Sequence, residues 1–267
     1  MSVREDVADR IPGGDTGLIV AVLLVIYAAY VLAGVGLGFS LRGQLNTIAT
    51  LTFFIGVFAM LSLALNLHWG YTGLFNIGIV GFMAVGIYVM ALVSKPLYQA
   101  GGAAQVGGFG LPIVVGILAG MAAAALLGLV VALPALRLRA DYLAIVTIAM
   151  SEIVRFSFLS GEFQQFQLFG ERVGFGGGSG LILNYTDPIE AFLSVVGLWD
   201  AYLGVVDAFR VVIPNNPKPV VDGLVYGALL LGFVGIYFWL LKRTGESPFG
   251  RVLKAIREDE DAANSLG

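Results

Sequence analysis

The chain has 267 residues, of which 58% are hydrophobic and only 12% are charged. A soluble domain carries about 25% charged residues, so this composition argues against a water-soluble enzyme. The net charge of −3, the absence of cysteine and the single histidine, His68, exclude a strongly basic nucleic-acid surface, disulfides and a multi-histidine metal site. We therefore expect no nucleic-acid partner, no metal and no cofactor.

Long runs without Asp, Glu, Lys or Arg predict about six membrane-spanning helices, because about 20 helical residues cross a bilayer core of about 30 Å. The predicted fold class is therefore all-α and polytopic. We expect the first span to be retained, since its apolar run is too long and its leader too acidic for a signal peptide. Residues 1–160 are predicted to form an amino-terminal membrane bundle with spans at about 18–40, 45–67, 71–93, 111–136 and 142–160.

A polar region precedes the last predicted span and is expected to form an external loop over residues 161–219. Within it, apolar residues recur at near-helical spacing, with Asp200, Asp207 and Arg210 largely on another face. This pattern predicts an amphipathic helix on the outer surface. A seventh span there would carry the basic carboxyl terminus outside. The apolar positions are Phe192, Val196, Trp199, Leu203, Val206 and Ile213.

The sixth span is predicted at 220–241, and the residues after it set the orientation. Lys242 and Arg243 follow Leu241 directly, and three more basic residues come within the next turns. Cytoplasmic loops carry an excess of Lys and Arg. We therefore expect a multi-pass protein of the cell membrane with both termini in the cytoplasm, and a cytoplasmic coupling segment at 242–267.

Glycines and amide side chains interrupt the long apolar run between the second and third spans. Such groups are costly in lipid unless they face protein or water. They indicate either helix ends that line a polar pathway or a tight cytoplasmic turn with aromatic anchors, and His68 alone suggests an interfacial residue. The candidate pathway residues in this bend are Asn66, Tyr71, Gly73, Asn76 and Gly78.

Glu152 lies inside the fifth predicted span, roughly 15 Å along the helix from Tyr142. An ionisable side chain at that depth suggests a pathway or gating carboxylate. Arg155 follows three residues later on the same face, so an internal ion pair explains both charges equally well. We keep both interpretations and retain Glu152 as a candidate pathway residue.

Small residues recur every fourth position in the fourth span, at Gly116, Gly120, Ala124 and Gly128. Small residues let helix backbones approach closely in membranes. This pattern predicts a helix-packing stripe without chemistry.

The tail begins with Ser247 as a plausible helix cap and Pro248 at the first helical position. Its sequence Asp261-Ala262-Ala263, followed three residues later by Gly267, resembles the cytoplasmic EAA signature of ABC importer permeases, with Asp in place of Glu. Further stretches are similar to branched-chain amino acid permeases, urea and amide relatives included, and the similarity covers 63–267. They read SPFGRVLKAIREDEDAANSLG, NLHWGYTGLFNIGIVGFMAVGIY, LRLRADYLAIVTIAMSEIVRF and GFGGGSGL.

The resemblance implies a transport subunit that works in membrane lipid with a homologous permease, two cytoplasmic ATP-binding subunits and an external solute-binding protein. It implies inward translocation of branched-chain amino acids or a similar small polar solute. The sequence has no GxxxxGK[ST] motif, so ATP hydrolysis is expected in another chain and this chain is not an enzyme. The implied ATPase-coupling residues are Arg257, Glu258, Asp261, Ala262, Ala263 and Gly267.

Three alternatives remain open at this point. The same kind of machine could carry urea or short amides. A stand-alone channel or secondary transporter, or a membrane assembly subunit that does not transport, belongs to a different class. Members of the family normally continue past the tail signature with further spans, so we expect this chain to lack the family's final helices.

Overall fold

The computed structural model describes residues 14–98, 106–135, 140–181, 189–190, 193–194 and 197–265. Its larger α-helices are α1 (Gly14–Gly36), α2 (Leu41–Leu65), α3 (Ile79–Ser94), α4 (Ile113–Ala135) and α5 (Ala140–Leu159). After a short antiparallel hairpin, β1 (Phe166–Leu168) and β2 (Glu171–Val173), come α6 (Trp199–Phe209), α7 (Lys218–Glu246), α8 (Pro248–Glu258) and α9 (Glu260–Ser265).

The all-α, polytopic fold class is confirmed. By length and composition, five helical stretches in the described part of the chain could each cross a membrane. They correspond to α1, α2 with the turn that follows it, α4, α5 and α7. The sixth apolar helix, α3, is shorter than these five, so six predicted spans correspond to five long helices and one short one.

The third predicted span, 71–93, differs most from the helix observed. No helix covers residues 73–78, and α3 begins only at Ile79. Gly73 has a φ of +73°, a left-handed conformation that a continuous right-handed helix cannot include. The residues before Ile79 are therefore available to form a site.

Two compact units divide the chain, and the division falls within α2 and within α7. The first unit contains residues 1–58 and 196–235. There α1 meets α2 through a hydrogen bond of 2.6 Å between the hydroxyls of Tyr27 and Thr52. Gly56 leaves room for Leu230 of α7, because a Cβ at this glycine would stand 2.6 Å from the leucine side chain.

The amphipathic helix of the predicted external loop corresponds to α6 in the first unit. Tyr202 and Val206 are its buried residues, one turn apart, and the Tyr202 hydroxyl donates to the Asp222 carboxylate of α7. Phe192 and Val196 lie outside the described residues. The location of α6 on an outer membrane surface stays a prediction.

The second unit contains residues 59–195 and 236–267, and its centre is the packing of α3 against α4. Gly120 lies against the backbone of Gly86, and Gly116 against Met90 and Ser94. Ala124 approaches Gly86 at an ordinary van der Waals distance. Three members of the small-residue stripe thus pack closely, while a Cβ at the fourth, Gly128, would meet nothing within 4 Å.

The loops at the carboxyl end of α3 and α5 meet the hairpin. Gly107 forms a bridge with Val173, and the guanidinium of Arg172 lies 5.1 Å from the centre of the Tyr98 ring. Tyr88 of α3 stacks on Phe158 of α5 with ring centres 4.1 Å apart. Aromatic contacts of this kind add to the area that the rings bury, so they hold this end of the second unit together.

Candidate functional site

The bend between α2 and α3 begins with a π-helical turn at Asn66–Gly70. Such turns widen the helix locally and are frequent at functional sites. The carbonyl of His68 accepts the backbone N–H of Tyr71 and also the Thr72 hydroxyl, which donates over 2.5 Å. Asn66 is exposed, with its side-chain oxygen against Gly70.

A polar cluster forms where the bend meets α5. The Asn76 amide nitrogen lies 3.2 Å from Nδ1 of His68, and because this nitrogen can only donate, Nδ1 accepts. The Asn76 oxygen accepts a bond of 2.9 Å from the backbone N–H of Gly78. The hydroxyl of Thr147, a fully buried residue, accepts the N–H of Ile77 over 3.2 Å. The cluster therefore holds an irregular backbone in one conformation.

Two cavities, of about 440 and 400 Å³, lie next to this cluster within the second unit. His68, Phe82 and Ala124 line both of them. The larger cavity has mostly apolar walls, including Met83, Met90 and Ile117, and the smaller one adds Asn76, Thr147 and Gly128. This combination of apolar walls and a few converging polar groups is typical of sites for small ligands.

The candidate residues Asn76 and Gly78 thus belong to the polar cluster. Gly78 is buried, and a Cβ there would stand 2.9 Å from Met150 and 3.0 Å from Thr147. Sequence reasoning missed two members: His68, which it assigned to the interface, and Thr147, which it did not consider. A hydroxyl inside an apolar helix is the one feature of the sequence that points to Thr147, and it does not single this residue out.

Tyr71 and Gly73 lie elsewhere, against the cytoplasmic segment predicted from the sequence. The Tyr71 hydroxyl donates to the carbonyl of Leu241 over 3.1 Å, and its ring occupies the space left by Gly245. Arg257 of α8 donates to the carbonyl of Gly70 over 2.7 Å. A Cβ at Gly73 would stand 2.9 Å from Cγ of Arg257. The bend therefore contacts both the end of α7 and α8.

Glu152 does not join either group. Its carboxylate pairs with Arg155 one turn later, at 2.7 Å, and both side chains are about half exposed. The lining of the two cavities does not include it. The face of α5 that contacts the bend and α3 carries Thr147 and Ser151 instead. The structure therefore shows the internal pair that the sequence allowed.

The predicted coupling residues occupy two short helices. Arg257 and Glu258 end α8 and form an ion pair of 2.5 Å. Asp259 is extended, and its carboxylate accepts the N–H of Ala262 over 2.9 Å, so it caps α9. Asp261 and Ala262 are exposed on α9, Ala263 is half-buried, and Gly267 lies outside the described residues.

Long apolar helices, close glycine packing and a broken helix beside polar groups define a polytopic helical membrane protein with the architecture of a permease. The family described as the permease component of the branched-chain amino acid transport system matches residues 47–267. The chain belongs to this family.

Three relatives share extended similarity with the chain. Two are named high-affinity branched-chain amino acid transport system permease protein LivM, from Escherichia coli K12 and Salmonella typhimurium LT2. Each is 33% identical over 231 residues, covering 85% of this chain and 46% of the relative. A probable branched-chain amino acid transport permease protein LivM from Methanocaldococcus jannaschii is 26% identical over 247 residues, covering 84% of the chain and 60% of that protein.

The chain therefore spans about half the length of the curated relatives it matches. No solved structure matches it.

Proposed function

We propose that this chain is a membrane-spanning permease subunit of an ATP-driven importer and that its solute is a branched-chain amino acid. The observation that carries the proposal is the junction at residues 66–78. One side of this bend lines apolar cavities, and the other side is hydrogen-bonded to α8. A single short segment thus connects a solute-sized space with a surface for a cytoplasmic partner.

The proposed pathway uses the two cavities that His68 lines. Methionine and aliphatic walls suit a branched aliphatic side chain, while His68 and Asn76 offer hydrogen bonds to the amino and carboxylate groups. Urea or a short amide would make little use of the apolar walls. The geometry therefore favours the amino acid over the small-amide alternative.

The proposed coupling surface is α8 together with α9. Phe249, Val252 and Ile256 recur at helical spacing on α8, and all three are exposed. We assign this apolar stripe, with the acidic and alanine residues of α9, to docking of an ATP-binding subunit. A stand-alone channel has no use for such a surface.

The transport cycle then follows from differential binding. A partner shifts a conformational equilibrium only if it prefers one state. ATPase docking would move α8 and with it Arg257, which is hydrogen-bonded to the carbonyl of Gly70. Because Gly70 and Asn76 belong to the same bend, this movement would shift Asn76, which lines a cavity. Solute-binding protein docking on the opposite side would favour the other state, and a homologous permease subunit would supply the second half of the pathway.

Uptake in membrane vesicles tests the proposal. The full-length protein would be co-expressed with its ATP-binding and solute-binding partners, and accumulation of labelled leucine and labelled urea would be compared with and without ATP. We expect ATP-dependent leucine uptake and co-purification of the ATPase. Leucine entry without ATP would identify a channel or secondary transporter, and uptake of urea alone would identify the small-amide relative.

A further inference from the structure

A third cavity, of about 490 Å³, lies where α7 passes into α8. Trp239, Lys242, Arg243, Glu246 and Ser247 line it. It shares no lining residue with the two cavities beside His68. The proposed transport mechanism leaves it without a role.

The charged wall of this cavity is mostly basic. Lys242 and Arg243 are exposed, and neither forms an ion pair with any residue that the structure describes. Ser247 caps α8 by accepting the N–H of Gly250 over 3.1 Å, so the positive end of the α8 dipole also lies here. Glu246 is the one acidic residue among the lining residues.

One lining residue, Trp239, is apolar, and it lies on the same face of α7 as Lys242, Arg243 and Glu246. The side chain of Trp239 is about half exposed, and Ile236 and Leu240 beside it are similarly exposed. Ile236, Trp239 and Arg243 follow one another at helical spacing, and the guanidinium of Arg243 lies 5.4 Å from the centre of the indole ring. Tryptophan is enriched where a membrane helix reaches the headgroup region. Trp239 and the basic residues after it therefore predict that α7 passes from acyl chains to headgroups at this cavity.

We propose that this cavity binds an anionic phospholipid, with its phosphate between Lys242 and Arg243 and its acyl chains along Ile236, Trp239 and Leu240. A free anion would use only the cations and leave the indole wall uncovered. An acidic protein segment would not cover the exposed apolar stripe that continues along the membrane-spanning part of α7. A lipid matches both walls at once.

The test uses the full chain, purified in a non-ionic detergent, with bound lipid counted by native mass spectrometry. Dioleoylphosphatidylglycerol and dioleoylphosphatidylcholine are titrated separately. We expect tighter binding of phosphatidylglycerol, and a loss of about fivefold in its affinity for each cation removed in Lys242→Gln and Arg243→Gln. Glu246→Gln should raise the affinity, because it removes the negative charge from the wall.

The matched control is Arg251→Gln, which removes an exposed cation of α8 outside the cavity and should leave phosphatidylglycerol binding unchanged. Equal affinity for the two lipids, or no loss in the Lys242 and Arg243 variants, would overturn the proposal. So would displacement of phosphatidylglycerol by a polyglutamate peptide or by inorganic phosphate. If the cation variants fail to fold, an unchanged affinity in Glu246→Gln overturns it by itself.

Discussion

Arg257 is the side chain that joins the tail to the bend, and its contact is with backbone. Arg257→Gln removes the hydrogen bond to the Gly70 carbonyl and the ion pair with Glu258. We expect ATP-dependent uptake to fall about threefold to tenfold, in line with a hydrogen bond worth about 1 kcal/mol. Uptake and ATPase co-purification are measured together, because the apolar stripe of α8 is intact in this variant and should still bind the ATPase.

Arg251→Gln is the control for this experiment, since it neutralises another exposed cation of α8 that lies away from the bend. A loss of ATPase binding in Arg257→Gln would place Arg257 at the docking surface and contradict a transmitting role. Uptake equal to that of Arg251→Gln would remove Arg257 from the coupling route.

Gly78 is a glycine of the bend that packs closely against α5. Gly78→Val places a branched side chain against Met150 and Thr147, and overpacking of this kind costs about 1–3 kcal/mol. We expect a lower thermal midpoint in detergent and reduced uptake. Gly235→Val is the matched control, because a Cβ at Gly235 meets nothing within 4 Å. An equal midpoint in both variants would show that the close approach does not matter.

Glu152 is the candidate residue whose surroundings offer least support for a pathway role. Because its carboxylate is half exposed and paired only with Arg155, we expect Glu152→Gln to change uptake by less than about twofold, as for an exposed ion pair. Asn76→Ala, which breaks the bond to His68, should reduce uptake much more. A severe loss in Glu152→Gln with normal assembly would restore its gating role.

Residue-scale reasoning from sequence found half of the polar cluster. Asn76 and Gly78 are conspicuous because amides and glycines are unusual in an apolar run. His68 and Thr147 are not, since a histidine near a helix end and a threonine within a helix each have ordinary explanations. Only the fold shows that α5 brings Thr147 to the bend. The spacing of residues within one helix does not reveal which other helix lies beside it.

At the scale of elements, α8 makes the clearest prediction. Its exposed stripe of Phe249, Val252 and Ile256 is an apolar surface that a solvated tail would not need. Val252→Asp or Ile256→Asp should abolish co-purification of the ATPase, because a buried unpaired carboxylate is costly. Membrane insertion should be unaffected. Arg251→Asp, on the same helix but outside the stripe, controls for added charge, and retained ATPase binding in the stripe variants would contradict docking there.

The tail forms two helices, α8 and α9, and the sequence does not indicate the break between them at Asp259. The break lies within four consecutive acidic residues, 258–261, and each of them is also compatible with a continuous helix. The physical reason is capping: the Asp259 side chain satisfies the N–H of Ala262 at the start of a new helix. Long apolar helices were easier to predict, since their composition alone requires them.

At the scale of the whole chain, hydropathy predicted the fold class well because lipid forces backbone groups to be satisfied within helices. It failed for the third span, where apolar composition continues through the bend and does not reveal that residues 73–78 leave the helix. Composition indicates whether a segment lies in lipid or in water, but it does not determine the conformation of the segment's backbone. The left-handed conformation of Gly73 and the Asx turn from Asn76 to Gly78 locate that break, and both are seen only in the structure.

Membrane topology is the remaining property of the whole chain that can be tested directly. Within the second unit, the bend at 66–78 contacts α7 and α8, while the hairpin contacts the loop that follows α3. These contacts agree with a bend and tail on one side of the membrane and a hairpin on the other. The basic residues after Leu241 predict that the tail is cytoplasmic.

Reporter fusions at Gly180 and at Gly267 should therefore give opposite signals, with alkaline phosphatase active at Gly180 and a cytoplasmic fluorescent protein visible at Gly267. A third fusion at Arg137, between α4 and α5 in the sequence, serves as the control and should match Gly267. Equal signals at Gly180 and Gly267 would require an even number of crossings between them, instead of the single crossing by α7, and the arrangement of spans would have to be redrawn.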